Sequence, residues 1–351
     1  MNVVIIYGGD SVEHDVSILT ALHCAKHMPV EYFAHLVYLT RTGQMVTSQS
    51  LPKVEYYENG RAEGAQRCFF AGKSLYKKTV FGAKKIADID AVINCCHSGV
   101  GEDGRLAGMF DVLGIPVTSC PHVVASNLQS KTRTREILLK NDFLQPGVFT
   151  KTDDIKFPCI VKPDTLGSSI GVTVVDNREG LDDAIELAKS LDDEIIIEQF
   201  LEGAVEINCS AFRFGDKVIT SAVEIMDKGD GMLDFEKKYL DTATGFIKKG
   251  GNRTEPHKAE EEIKILTRRA YELFGATGVV RADFLVVGDK IYLNEINTVP
   301  GFLSYHLWQK SGLPYATLIE MLVEQAVTES KKPRKTVFQS QILEKNRFLV
   351  T

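Results

Sequence analysis

The sequence predicts an α/β protein in which a parallel sheet wrapped by helices is followed by two smaller α+β units. Three observations carry this expectation. Short apolar runs at residues 2–7 (NVVIIY), 33–40 and 90–96 (DAVINCC) alternate with helical patterns, as in a sheet covered by helices. After about residue 130 the pattern changes to FPCIVKP, IGVTVVD and EIIIEQFL, with one helix between the last two. Further on, RADFLVV and KIYLNEI flank Gly288-Asp289, a strong hairpin signal.

Taken in order, the first strand is closed by Gly8 and Gly9, and a helix follows over about 13–28. Residues 41–88 are polar and glycine-spotted, and read as an elaborated connection holding one hairpin. A short strand at 115–118 precedes a single long helix expected over 123–140. In the second unit a helix is placed at 181–190. Strands are expected at 206–214 and 217–226, then a glycine- and charge-rich loop at 227–255. Ile263, Leu266, Ala270 and Leu273 recur at helical spacing within 258–274. Two short helices close the chain near 329. The domain boundaries expected are 1–125, 126–197 and 198–330, with a basic tail at 331–351.

Composition narrows the function. The 351 residues are 44% hydrophobic and 25% charged, and 41 Lys plus Arg against 47 Asp plus Glu give a net charge of −6. That balance gives no support to a nucleic-acid binder working through a broad basic surface. No apolar run approaches a membrane span, and MNVVIIYGG lacks the features of a secretory signal. Seven cysteines without CxxC spacing read as reduced thiols, so a cytoplasmic enzyme is expected.

Three constellations carry chemistry. Asp283, Glu295 and Asn297 sit on the hairpin; Glu295 and Asn297 share a face, and Asp283 should stand opposite residue 294 or 295. Two carboxylates and an amide oxygen make an oxygen-only cluster suited to Mg²⁺. In VKPDTLGSSIGV, Lys162 closes a strand, and a small-residue loop containing Ser168 and Ser169 follows, able to wrap phosphate oxygens. Lys131 offers a second cation. In NCCHSGVGEDGRLAG a strand ends at His97 and a glycine loop carries Glu102 and Asp103, while GGDSVEHDVS places Glu13 just after the first strand. Both loops lie where parallel sheets bind ligands. The opening glycines do not fit GxGxxG, which argues against a nicotinamide enzyme.

GGDSVEHDVS, HSGVGEDGRLAG, VKPDTLGSSIGV, RADFLVV and LNEINTVPG, in this order, resemble the D-alanine–D-alanine ligases of the ATP-grasp superfamily over about residues 1–329. The resemblance implies three domains, with ATP gripped between the last two. It implies an ATP-dependent ligase that joins two D-amino acids through an acyl phosphate, in peptidoglycan precursor synthesis, and relatives that commonly form dimers. It puts two Mg²⁺ ions, or Mn²⁺, on Asp283, Glu295 and Asn297. The phosphates fall to Lys131, Lys162, Ser168 and Ser169, and adenine to the linker Glu198, Gln199, Phe200 and Leu201. Ribose falls to Glu206, although EGAVE is one residue longer than the family's spacing. Glu13 and His97 resemble the residues that hold the first D-alanine, and Arg281 with the Gly301 amide those that stabilise the tetrahedral intermediate. Lys238 and Tyr239 are similar to the family's lid, whose tyrosine bonds to the Glu13–Ser168 pair. Ser304, His306 and Leu307 fall near the acceptor carboxylate. There the family usually has Ser where this sequence has His306, which leaves D-serine or an unusual amino acid open as the acceptor. A nucleotide-binding regulator with a dead site would require a lost metal ligand or phosphate lysine, and none is lost.

Overall fold

The computed structural model describes residues 1–151, 154–226 and 257–331. The lid residues Lys238 and Tyr239, the 227–255 loop and all but the first residue of the basic tail lie outside the described residues.

The first strand, β1 (Asn2–Gly8), is apolar at nearly every position because it is central. It pairs in parallel with β2 (Phe33–Leu39) on one side and β7 (Ala91–Asn94) on the other. Between these partners run α1 (His14–Lys26), β3 (Met45–Thr47), α2 (Glu55–Glu58), β4 (Gln66–Ala71), β5 (Ser74–Thr79) and β6 (Gly82–Asp88). The expected single hairpin at 41–88 is therefore too small. Four antiparallel strands extend the sheet to seven, in the order β6-β5-β4-β3-β2-β1-β7. Among the described residues one face of the extension is covered: Cys68 and Leu75 are buried while Phe69 and Lys84 are exposed.

After α3 (Arg105–Leu113), residues 115–118 form one bridge, Val92 with Val117, rather than a strand. The long helix expected at 123–140 is two helices, α4 (His122–Gln129) and α5 (Lys131–Leu139). Ser130 lies between them in extended conformation, and its hydroxyl caps α5 by accepting from the Arg133 amide. The same hydroxyl donates to Asp164, at 2.6 Å, so a tertiary partner stabilises the break.

The second sheet is three-stranded, ordered β10-β8-β9: β8 (Cys159–Pro163), β9 (Thr173–Val175) and β10 (Ile195–Gln199), backed by α6 (Leu181–Leu191). The third holds β11 (Val205–Phe214), β12 (Lys217–Ile225), β13 (Val280–Val287) and β14 (Lys290–Asn297), ordered β12-β11-β13-β14. One face of it packs on α7 (Glu260–Phe274), through Ile263, Ala270 and Tyr271. Of the closing helices, α8 (Tyr305–Lys310) packs on β12 and β11 of the third sheet, and α9 (Tyr315–Ser330) packs on β11 and on β7 of the first. Leu318 and Leu322 of α9 share one core with Val3 and Ile5 of β1, and with Phe212 of β11.

Candidate active site

The floor of the site comes from register. Across the third sheet Glu224 lies opposite Asn208, Asn208 opposite Asp283, and Asp283 opposite Glu295. Directly opposed residues point to the same face, so four polar side chains from four strands form one row. A bulge at Asn294 sets the last pairing, since Phe284 already pairs with Leu293. Arg281 and Asn297, also opposite one another, make the adjoining row. Arg281 donates through Nε and Nη2 to the Asp283 carboxylate, at 2.6 and 2.7 Å, and Asn297 adds a bond of 2.9 Å. The hairpin thus places Asp283, Glu295 and Asn297 as the spacing predicts, with Asp283 buried under Arg281.

The opposite wall comes from the carboxyl ends of β1 and β7. A Cβ at Gly8 would collide with the Leu39 carbonyl, so glycine there lets the chain turn off the sheet and deliver Glu13 to the start of α1. The buried Glu13 carboxylate accepts hydrogen bonds from Ser98 on one oxygen and from Ser168 on the other. The loops after β1, β7 and β8 therefore meet at one carboxylate. Ser98 and Ser168 both adopt φ of 55°, which costs non-glycine residues free energy and is held here by these contacts.

A cleft lies between floor and wall. Glu13, Lys131, Ser168, Arg281, Glu295 and Gly301 line it, as do His97, Glu206, Asn297 and His306. The Lys131 ammonium donates to the Leu166 and Asp164 carbonyls, at 2.5 and 3.3 Å, and burial lowers its pKa against the pull of Glu295. Lys162, buried and outside the cleft lining, is ion-paired with Glu198 at 2.5 Å. Gln199, Phe200 and Leu201 line a second crevice with Phe157, Val287 and Tyr292, between the second and third sheets. Ser169 sits in the turn beside Ser168, with φ of 58°.

Of the residues expected at the substrates, His97 lines the cleft while being held from within the protein, and Ser304 and Leu307 do not line it. Both ring nitrogens of His97 are engaged within the protein, Nε2 with the Thr20 hydroxyl and Nδ1 with the Val299 carbonyl, each at 2.7 Å. Burial pushes its pKa below the usual imidazole range, so the ring is neutral. Ser304 and Leu307 are fully buried and are absent from the lining of the cleft. The cause is the turn after Gly301: Phe302, Leu303 and Ser304 all lie in the left-handed region, at φ of 52°, 52° and 55°. Each such residue costs roughly 1–2 kcal/mol. His306 does face the cleft, and its Nε2 meets Glu224 at 2.9 Å.

Sequence reasoning missed Thr20, Asn208 and Glu224, which carry no local motif, and it left Glu102 without a role. Glu102 belongs to the GEDG motif, and its Oε1 accepts from the Ser98 amide at 3.0 Å. Burial, reinforced by the Glu13 charge, pushes its pKa up to about 8. The side chain of Asn208 is buried, and its oxygen has no hydrogen-bond partner among the described residues. No helix among the described residues is long and apolar enough to cross a membrane.

Known proteins with this arrangement point one way. The family model described as D-ala D-ala ligase N-terminus matches residues 2–120, and that described as D-ala D-ala ligase C-terminus matches 133–324. A D-alanine–D-alanine ligase of Thermosipho melanesiensis is 30% identical over 98% of both chains. The crystal structure of the Helicobacter pylori D-alanine–D-alanine ligase superposes with a TM-score of 0.77 at 24% identity, covering 92% of this chain and 98% of that one. The VanG D-Ala:D-Ser ligase of Enterococcus faecalis gives 0.77 at 23% identity, with the same coverage. The architecture is the ATP-grasp fold of these structures. From its motifs, its sheets and these matches, the chain belongs to the D-alanine–D-alanine ligase family and is an ATP-dependent ligase that forms a peptide bond.

Proposed function

We propose that this cleft joins two D-alanine molecules for peptidoglycan precursor synthesis. The supporting observation is the meeting of Glu13, Ser168, Arg281, Glu295 and Gly301 around one cleft, together with a second crevice lined by Phe157, Phe200 and Tyr292. A carboxylate is a poor electrophile. An oxygen of the first D-alanine therefore attacks the γ-phosphorus of ATP, ADP leaves, and an acyl phosphate forms. The amine of the second D-alanine then attacks the carbonyl carbon; phosphate leaves, and the nitrogen loses a proton.

Glu13, fixed by two serines, holds the ammonium of the first substrate, and Arg281 with the Gly301 amide faces the developing oxyanion. Lys131 and the Ser168–Ser169 loop hold the phosphates, with Lys162 anchored on Glu198 beside them. Adenine enters the crevice of Gln199, Phe200 and Leu201, and Glu206 takes the ribose. To Lys238 and Tyr239, which resemble the family's lid, falls the task of keeping water from the acyl phosphate.

Among the described residues no three His, Cys, Asp or Glu side chains converge enough to hold a metal by themselves. The oxygen-only set of Asp283, Glu295 and Asn297 fits Mg²⁺, which keeps several ligands on water and phosphate. Bound there, the ion would neutralise phosphate charge.

Purified protein given ATP, Mg²⁺ and D-alanine should release one phosphate per dipeptide detected by mass spectrometry. Glu295→Gln should lower kcat by roughly two decades or more, because a charge-neutralising group at the phosphates is lost, with little change in Tm. An acceptor panel including D-serine tests the His306–Glu224 end. Phosphate release without a dipeptide from any pair of D-amino acids would overturn the proposal.

A further inference from the structure

The turn over Phe302–Ser304 is strained by its own residues, none of which is Gly, Asn or Asp, so something outside it must hold it. Leu303 is anchored in the core, and its amide donates to the Pro300 carbonyl at 2.8 Å. The remaining hold comes from the N-terminal domain. The Phe302 amide donates to the Thr20 hydroxyl at 3.2 Å, and that hydroxyl meets His97 Nε2 at 2.7 Å. His97 Nδ1 meets the Val299 carbonyl at 2.7 Å.

The Val299 carbonyl can only accept, so Nδ1 carries a proton; on a neutral ring Nε2 then carries none, and the Thr20 O–H donates to it while its oxygen accepts from the Phe302 amide. A neutral ring is required, and the buried position of His97, 2% exposed, provides it. The relay therefore starts and ends on the loop that carries Gly301, gripping it on both flanks from helix α1 and the end of β7.

We propose that Thr20 is a positioning residue, which holds the Gly301 amide at the reaction centre by pinning the left-handed turn through His97. This rests on reading the cleft as the ligation site. Thr20 is fully buried and does not line the cleft, so its effect reaches the site through His97 and the turn.

Thr20→Val keeps the shape and removes both bonds; Thr20→Ser keeps both. In Thr20→Val, kcat for dipeptide formation should fall by roughly 10- to 100-fold, the scale of a small misplacement at a reaction centre. The KM for ATP should stay within about twofold, because the phosphate and adenine contacts lie elsewhere. Thr20→Ser should restore kcat to within about threefold of the wild type, since it rebuilds the same bonds. Hydrogen exchange over 301–304, read without substrates, should quicken about tenfold or more in Thr20→Val only, since the amide's partner is gone. Unchanged exchange in that variant overturns the relay, whereas a wild type that makes no dipeptide overturns the ligation reading instead. Should Thr20→Val fail to fold, the wild type decides: a Phe302 amide exchanging at the open-chain rate overturns the relay.

Discussion

Glu102 shows how much a single residue depends on its neighbours. The side chain is confined beside Glu13, and ionising it places a second negative charge in a poorly hydrated pocket, so its pKa rises from 4.5 to about 8. Between these values the folded protein holds a proton that the unfolded chain has released. Stability therefore falls as pH rises through this window. In Glu102→Gln that contribution disappears, and the decline in Tm from pH 6 to pH 9 should flatten relative to wild type. A variant whose Tm follows the wild-type slope would show that other groups set it. The motif containing Glu102 was legible in the sequence, but its protonation was not. That depends on Glu13, which is 89 positions earlier and is brought close only by the pairing of β1 with β7.

At the scale of elements, legibility follows the range of the deciding contact. The β13–β14 register was readable to within one residue, because a two-residue turn fixes it locally. The row Glu224–Asn208–Asp283 was not, since nothing in the sequence aligns β11 with both β12 and β13. The break at Ser130 was hidden for a related reason. Residues 131–139 continue a helical pattern, and the partner that favours an interruption, Asp164, lies 34 positions away. Asp164 also accepts from the Thr132 amide at 2.7 Å, so one buried carboxylate organises the start of α5 and with it Lys131. Ser130→Ala removes the cap and the bond to Asp164, and should cost about 1–2 kcal/mol in chemical denaturation. The KM for ATP should rise several-fold as Lys131 loses its fixed place. A variant with an unaltered denaturation midpoint and KM would assign the break to another contact.

Across the whole molecule, the closing helix joins the first sheet to the third. Leu318 is fully buried in the core shared by β1, α1 and Phe212, so the wall and the floor of the cleft rest on common packing. Leu318→Ala should cost about 2–5 kcal/mol. Circular dichroism and the fluorescence of Trp308, the only tryptophan, should then report one coincident transition at lower temperature; two separated transitions would show that the sheets unfold independently. The seven cysteines bear on the same question. All are buried and unpaired, and burial pushes the thiols of Cys68 and Cys120 up to about 12 and that of Cys209 to about 11. Since alkylating reagents attack the thiolate, these sulfurs stay inert while their surroundings remain closed. They are distributed through every layer: Cys24, Cys68, Cys95 and Cys96 in the first, Cys159 in the second, Cys120 and Cys209 around the third. The chain thus carries its own set of clocks, at least one to each layer, and a core shared between the sheets sets them all running at the same moment.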